Sequence, residues 1–280
     1  MHELGKLGKV LPPTIDGLLQ WSRLFRHPGT FGNYVTYTKL ACELEGEPVE
    51  VFLHPSLKRA KQAIEKRRLW APREPTWIRM GTLERLLVLV FERPHLKELL
   101  FLFLASYVFL LRLPSEGLPM VAHSAPTGKH VPIFSVTGDT VKVWFPFRKN
   151  RIRPTTQERR CWCRKSALTC PVHTLGTYFQ SLPVGLQPFK HLSAAQALLA
   201  LRELLAELGV PLAPVHRTHD FRRGHAEDMR LGGARLCEIL AAGDWSSHAF
   251  MSYLDKNRLE CEAVEEVHGS FSDSDDGPGE

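Results

Sequence analysis

The sequence has few cysteines and no apolar run long enough to cross a membrane. Six cysteines in 280 residues are too few for a disulfide scaffold, so a reducing compartment is expected. The longest apolar stretch, residues 99–111, is shorter than the roughly 20 residues that a spanning helix needs. Residues 1–13 lack the apolar core of a secretory leader. The sequence therefore predicts no membrane partner and no export.

Lysine and arginine are absent after residue 259. Residues 260–280 carry eight acids, so residues 1–259 hold all 36 basic residues against 22 acids and have a net charge of +14. The whole-chain charge of +6 hides this division. A strongly basic body favours a polyanionic partner. The Ser, Asp and Gly content of residues 269–280 predicts an acidic, disordered tail.

Hydrophobic spacing predicts a mainly α fold with a small antiparallel β-sheet. The sheet is expected from β-branched and aromatic residues at 131–134 and 140–147, joined by a turn at Thr137-Gly138-Asp139. Apolar residues elsewhere recur at helical intervals, without an internal repeat. The predicted helices cover residues 15–24, 33–44, 55–68, 83–91, 99–111, 171–182, 193–208, 220–231, 234–242 and 247–267.

Two prolines in Trp70-Ala71-Pro72-Arg73-Glu74-Pro75 predict an interdomain linker, because each restrains its predecessor away from the helical region. The sequence thus predicts a helical domain over residues 1–75, a larger domain over 76–268, and the tail.

The most informative motifs lie near the C-terminus. His219 and Arg222 are three residues apart near a helix start, so they share one face and could grip one anion. Ser246 or Ser247 can cap a helix that carries Tyr253, and the turn before that cap can fold the Trp245 indole back towards the same place.

These residues resemble the tyrosine recombinases, the phage-integrase-like DNA strand-transfer enzymes, and among them the Crypton-type fungal branch. The resemblance rests on His219-x-x-Arg222, on Gly243-x-Trp245-x-Ser247 and on Tyr253. Arg112, before Ser115-Glu116, looks like the first arginine of the family, although the spacing leaves Glu116 open as a counterpart. Lys149 is similar to the hairpin lysine of the family, with Lys142 and Arg148 as competitors. Many members have histidine where Trp245 stands.

The resemblance implies the DNA breaking-rejoining enzyme fold, with residues 1–70 as a DNA clamp. It implies a recombinase from a mobile element that acts as a multimer on double-stranded DNA in a nucleus. Tyr253 would form a 3′-phosphotyrosyl intermediate, which retains the energy of the phosphodiester, so neither a nucleotide cofactor nor a metal is needed for the chemistry. Arg112 and Arg222 would hold the phosphate, His219 would accept the tyrosine proton, Lys149 would protonate the leaving oxygen and Trp245 would position the phosphate.

Each motif also has an ordinary structural interpretation. A His-x-x-Arg pair is commonly a surface feature, Arg112 could cap a helix C-terminus, and Tyr253 could be a core residue. Only their joint occurrence in family order favours the enzyme. The alternative function is a domesticated, non-catalytic DNA-binding protein that acts in regulation or chromatin.

A second cluster is Cys161-Trp162-Cys163-x6-Cys170-Pro171-Val172-His173. Three cysteines and a histidine could supply four tetrahedral ligands to a structural zinc ion; alternatively, Cys170 simply precedes a helix and the others are loop thiols. The chemistry disfavours a zinc hydrolase at these residues, because four protein ligands leave no open position for water.

Basic residues that could contact DNA phosphates occur in both predicted domains. Residues 142–165 alone contain nine Lys and Arg against one acid. The candidates are Lys58, Arg59, Lys61, Lys66, Arg67, Arg68, Lys142, Arg148, Arg151, Arg153 and Arg223.

Overall fold

The structure is a computed structural model that describes residues 11–67, 75–125, 130–148, 153–245 and residue 254. The chain divides into two compact units, Met1–Glu74 and Pro75–Glu280. The described residues are mostly helical and include a small four-stranded mixed sheet, which confirms the predicted balance of helix and strand. Apart from residue 254, the predicted helix over residues 247–267 lies outside the described residues, as does the predicted acidic tail.

The first unit is a small helical body. Its helices are α1 (Ile15–Ser22), α2 (Pro28–Leu44) and α3 (Pro55–Lys66), with a 3-10 turn at Glu50–Leu53. The sequence predicted a helix from residue 33, whereas Pro28 begins α2: proline suits the first helical position, and the His27 side chain accepts the Gly29 N–H at 3.1 Å. The core consists of Leu18, Phe31, Leu57, Ala60 and Ile64.

The second unit is built around a helix that is buried on every side. Its helices are α4 (Met80–Glu92), α5 (Lys97–Val108), α6 (Thr177–Gln180), α7 (Ala194–Glu207), α8 (Asp220–Leu231) and α9 (Leu236–Gly243). Shorter turns are 3-10 helical at Pro94–Leu96 and Ala213–Val215 and π-helical at Leu113–Gly117 and Pro171–Gly176.

The uninterrupted apolar sequence of α5 is explained by its burial. Every residue from Leu99 to Val108 is buried, as expected for a helix that is apolar all round. Within the described residues, no helix combines the length and apolar character that membrane crossing requires.

The start of α4 differs from the sequence prediction. The helix begins at Met80, not at the predicted residue 83, because a distant carboxylate takes the place of a local cap: Asp228 accepts the Met80 N–H at 2.8 Å. The same carboxylate accepts the Tyr107 hydroxyl at 2.7 Å, so one side chain connects α4, α5 and α8.

The sheet is mixed, which corrects the prediction of a purely antiparallel sheet. Its order is β1 (Val121–Ala122), β2 (Ile133–Thr137), β3 (Thr140–Phe145) and β4 (Thr155–Arg160). β2, β3 and β4 are antiparallel, but β1 pairs parallel to β2. The sequence TTQERR of β4 lacks apolar alternation, so β4 was not predicted.

α8 packs very closely on the chain that leads into α4. A Cβ atom placed on Gly224 would lie 1.8 Å from the carbonyl oxygen of Ile78. Only glycine permits this approach, which brings the first turn of α8 against the start of the second unit. The Ile78 N–H donates to the Asp220 carbonyl at 3.0 Å in the same contact.

Candidate functional site

The C-terminal ends of α5 and α9 have the same backbone turn. Each ends in a residue with left-handed backbone that is not glycine, Leu110 with φ 48° and Asp244 with φ 53°. Such a conformation is costly for residues with a Cβ atom, so surrounding contacts must hold it. In each turn two N–H groups close back on the helix. These bonds are Leu110 to Tyr107 and Leu111 to Ser106 in α5, and Asp244 to Ala241 and Trp245 to Leu240 in α9.

Arg222 on α8 bridges these two helix ends. Its side chain is fully buried, and its terminal nitrogens donate to the carbonyls of Leu110 and Gly243. The last carbonyls of a helix have no partner within the helix and carry the negative end of its dipole. A guanidinium that cannot lose its charge is therefore well matched to two such ends.

Arg159 on β4 forms a second bridge beside the first. It donates to the Val108 carbonyl at 3.0 Å and to the Ala242 carbonyl at 3.3 Å, each two residues before the left-handed residue of its helix. Gln157, also on β4, donates to the same Ala242 carbonyl at 2.8 Å. Burial, together with the charge of Arg148, lowers the pKa of Arg159 to about 10, so it stays charged at neutral pH.

The indole of Trp245 is fixed by the same bridges. The Arg222 guanidinium lies over the ring at 4.7 Å from its centroid, a cation–π contact. A Cβ atom on Gly243 would lie 2.1 Å from the ring, so the indole folds back onto the end of α9, as the sequence predicted. Trp245 and Leu110 belong to one buried cluster with Ala226, Ile239 and Leu254.

Arg112 lies just beyond the α5 turn and is held by Glu116. The Glu116 carboxylate accepts the Arg112 N–H at 2.8 Å and its side chain at 2.9 Å. The same carboxylate accepts two bonds from Arg148, at 3.1 and 3.0 Å. Burial would raise the pKa of Glu116, but the bonds from Arg148 and Arg112 outweigh it and lower the pKa below its ordinary value.

Arg148 is thus an internal residue. Only 2% of its side chain is exposed, and besides Glu116 it reaches Asp244, with 3.8 Å between nitrogen and carboxylate oxygen. The sequence placed it among DNA-contacting residues or as a competitor for the lysine position. Its geometry instead makes it a third connection between the regions that follow α5 and α9.

His219 lies among three arginines at the start of α8. Burial, followed by the charges of Arg222, Arg223 and Arg112, lowers its pKa from 6.5 to about 4. The ring is therefore neutral at pH 7 and able to accept a proton. An anion at this place would offset the three positive charges and raise the pKa of the ring again.

Asp220 fixes the beginning of α8. This buried carboxylate accepts the Arg217 N–H at 2.9 Å and the Thr76 hydroxyl, and His216 lies 3.1 Å from the same oxygen. Arg223 lies 3.6 Å from its other oxygen. This network sets the direction in which His219 and Arg223 leave the helix. Nothing in the sequence distinguished Asp220 from an ordinary helical acid, whereas Glu116 was noted there only through its place after Arg112.

The three cysteines and the histidine of the second motif come together, a prediction that the structure confirms as a cluster. The Nδ1 atom of His173 lies 3.4 Å from the sulfur of Cys161, 3.1 Å from that of Cys163 and 3.5 Å from that of Cys170. The sulfurs of Cys161 and Cys170 are 3.8 Å apart, and all four donor atoms lie within 4.8 Å of one another. Such a group could hold a metal ion such as zinc.

The remaining predicted site residues occupy different environments. Lys142 pairs with Glu158 at 3.1 Å across the sheet, and Arg67 donates to the Arg23 carbonyl at 3.3 Å. Four predicted residues, Lys149, Arg151, Arg68 and Tyr253, lie outside the described residues. The exposed candidates are Lys58, Arg59, Lys61, Lys66 and Arg153.

Neither a protein-family model nor a curated protein sequence matches the chain. The site is therefore interpreted from its own geometry. The helix-end bridges were missed from the sequence: Arg159 stood in a basic run, where nothing set it apart from its neighbours.

The buried His225 gives a pH test of this region. Burial, with Arg159 on β4 close by, lowers its pKa from 6.5 to about 4, against the opposing effects of the Tyr107 carbonyl and Asp228. As the pH falls, His225 therefore binds a proton near pH 6.5 in the unfolded chain but only near pH 4 in the folded chain. We expect the free energy of unfolding to fall as the pH falls through this window, with up to about 1.4 kcal/mol per pH unit due to His225.

The measurement is urea denaturation between pH 4 and 7 for the wild type and His225→Asn, whose amide can still donate to the Tyr107 carbonyl. The variant should lose less stability across this range. Parallel pH profiles for the two proteins would show that His225 is not held neutral by the fold.

Proposed function

We propose that this protein is a DNA strand transferase of the tyrosine recombinase type, with the DNA breaking-rejoining fold in its second unit. The observation that carries the proposal is the grouping of Arg112, His219, Arg222 and Arg223 at one place, where burial and then the charges of the three arginines lower the pKa of His219. A phosphodiester under nucleophilic attack builds up negative charge on its non-bridging oxygens, and preorganised cations stabilise that charge.

The three arginines differ in exposure and therefore in their proposed roles. Arg112 and Arg223 keep 23% and 22% of their side chains exposed, so they can reach a bound phosphate. Arg222 is fully buried and holds the helix ends together, with its charge close beneath the site. Its direct contact with the phosphate remains a prediction from the resemblance.

The reaction is a transesterification. The Tyr253 oxygen attacks phosphorus, its proton passes to the neutral ring of His219, and the bond from phosphorus to the 5′-oxygen breaks while Lys149 supplies a proton to that oxygen. A 5′-hydroxyl from a second strand then reverses these steps and releases Tyr253. Joining two duplexes in this way requires a multimer on double-stranded DNA, and a mobile element in a nucleus is the corresponding biological setting.

Positive charge supports DNA as the substrate. The basic body of +14 and exposed basic residues in each unit suit a long phosphate backbone better than a small anion. In the first unit, the exposed side chains of Lys58, Arg59 and Lys61 come from one helix, α3.

Covalent trapping tests the proposal. We expect nicked duplexes of randomised sequence, from which the cleaved fragment diffuses away, to give a denaturant-resistant protein–DNA adduct. Tyr253→Phe removes the attacking oxygen and should reduce the adduct to background. Tyr34→Phe, a matched change at an exposed tyrosine of α2, should leave the yield unchanged.

The outcomes separate enzyme from binding protein. An adduct that persists in Tyr253→Phe refutes the assignment of the nucleophile. Binding with no adduct on any sequence refutes catalysis and supports the alternative, a domesticated DNA-binding protein of regulation or chromatin, for which the internal role of Arg222 would suffice. Absence of DNA binding refutes both.

We further propose that Cys161, Cys163, Cys170 and His173 hold a structural zinc ion. Ligand atoms of a tetrahedral site with Zn–S near 2.3 Å and Zn–N near 2.0 Å lie about 3.5 to 3.8 Å apart, close to the separations in the cluster. Two N–H groups, those of Cys163 and His173, point at ligand sulfurs at 3.4 Å, as expected around thiolates. Bound zinc would cross-link the loop, without a part in the chemistry.

Metal analysis tests the zinc proposal. We expect one tightly held zinc ion per chain, and cobalt substitution should give the absorption bands of a tetrahedral thiolate site. Cys163→Ser should lose the ion, since a hydroxyl is a poor replacement for a thiolate ligand. Cys237→Ser, at an exposed cysteine outside the cluster, should retain it. Wild-type protein that takes up no zinc would refute the site.

A further inference from the structure

The metal-binding loop is connected to the candidate site by two separate paths. We propose that zinc at the Cys161/Cys163/Cys170/His173 cluster positions α8 and the end of α9, and thereby sets the phosphate-binding geometry. This inference rests on the proposed function and on zinc binding. It assigns Trp162 and Arg159 as positioning residues for a site that neither of them forms.

The first path runs through Trp162, which lies between two of the metal ligands. Its ring meets His225 of α8 edge-on, with 5.9 Å between ring centroids and an interplanar angle of 86°. His225 in turn stacks on Tyr107 of α5 at 4.6 Å and contacts the Tyr107 carbonyl through Nδ1. His225 is three residues after Arg222 on the same helix, so Trp162 braces the part of α8 that carries the bridge.

The second path runs along β4. Cys161 directly follows the last residue of this strand, and two residues earlier Arg159 makes the bridge between Val108 and Ala242. A ligand fixed by zinc therefore fixes the end of the strand. Displacement of β4 would withdraw two donors, from Arg159 and Gln157, from the Ala242 carbonyl beside Gly243.

A cavity separates part of the loop from α8 and α9. About 530 Å³ of open space lies between the loop and the helices, with Trp162, Lys165, Arg159, His225 and Ala242 in its lining. Beside this space, the contacts of Trp162 with His225 and of Arg159 with Ala242 connect the loop to α8 and to the end of α9.

Metal would fix the part of the ligand loop that packing holds least. Cys161 and His173 are exposed and Cys163 is half-buried, whereas Cys170 is buried and Trp162 packs against the main core. Thiol groups are weak hydrogen-bond donors and acceptors. The indole N–H of Trp162 donates to the Thr169 hydroxyl at 3.3 Å, inside the same loop, and this bond moves with the loop.

Hydrogen exchange followed by mass spectrometry tests the inference without DNA. The full chain is compared with zinc and after removal of zinc by a chelator. We expect amides in residues 220–231 and 236–245 to exchange at least about tenfold faster without zinc, while α3 in the first unit is unchanged. Faster exchange confined to residues 161–173 would overturn the inference.

Trp162→Ala breaks one path while it retains all four ligands. We expect Trp162→Ala to bind one zinc ion, to exchange faster in residues 220–231, and to bind DNA at least about tenfold more weakly. Trp162→Phe keeps an aromatic ring against His225, so it should retain most of the slow exchange in α8 and most of the DNA affinity. Trp144→Ala, a half-buried tryptophan of β3, controls for the general loss of an indole. Normal exchange in α8 of zinc-loaded Trp162→Ala would overturn the role of Trp162.

Failure of this inference differs from failure of the proposed function. Exchange that responds to zinc in a chain that never forms a DNA adduct supports the positioning path and refutes the enzyme. The opposite outcome is a DNA adduct whose yield is the same with and without zinc, together with hydrogen exchange in α8 and α9 that does not respond to zinc. This outcome supports the enzyme and refutes the positioning role of zinc.

Discussion

The second unit depends on two arginines, the fully buried Arg222 and the half-buried Arg159, which join the ends of α5 and α9. Arg222 and Arg159 each donate to one carbonyl at the end of each helix. A hydrogen bond from a charged donor contributes about 1.5–3 kcal/mol, whereas a buried charge without partners would be strongly destabilising. The bridges therefore stabilise only while both helix ends are in place. They also explain how Leu110 and Asp244 can adopt left-handed backbone.

The chemistry-bearing residues follow from these joined ends. Arg112 comes two residues after the left-handed residue of α5, and Trp245 one residue after that of α9. Once the turns are fixed, the chain has little freedom in where it places either side chain. Glu116 then accepts hydrogen bonds from both Arg112 and Arg148, so its single negative charge offsets part of their positive charge. The result is a compact group of cations that is preorganised before any anion binds.

The sequence predicted those parts of the fold that local pattern decides. The boundaries of α8 were predicted correctly, and a helix was predicted over most of α5, because helical periodicity and continuous apolar character are local signals. β4 was missed, since its polar sequence becomes a strand only by pairing with β3. For the candidate site, the sequence motifs predicted several of the residues but not the groups to which they donate hydrogen bonds. The bridging role of Arg159 depends on carbonyls more than fifty residues away, which no spacing rule encodes.

A double-mutant cycle on the two bridges is the most direct test of this central claim. Arg159→Met and Arg222→Met each remove one bridge and keep an unbranched side chain of similar length, and the free energy of unfolding is measured for both and for the double variant. Both arginines hold the same pair of helix ends. The second substitution should therefore lower the free energy of unfolding by less when the first substitution is already present. The double variant should be more stable than the sum of the single effects by at least about 1 kcal/mol. Additivity within about 0.5 kcal/mol would contradict a shared bridge.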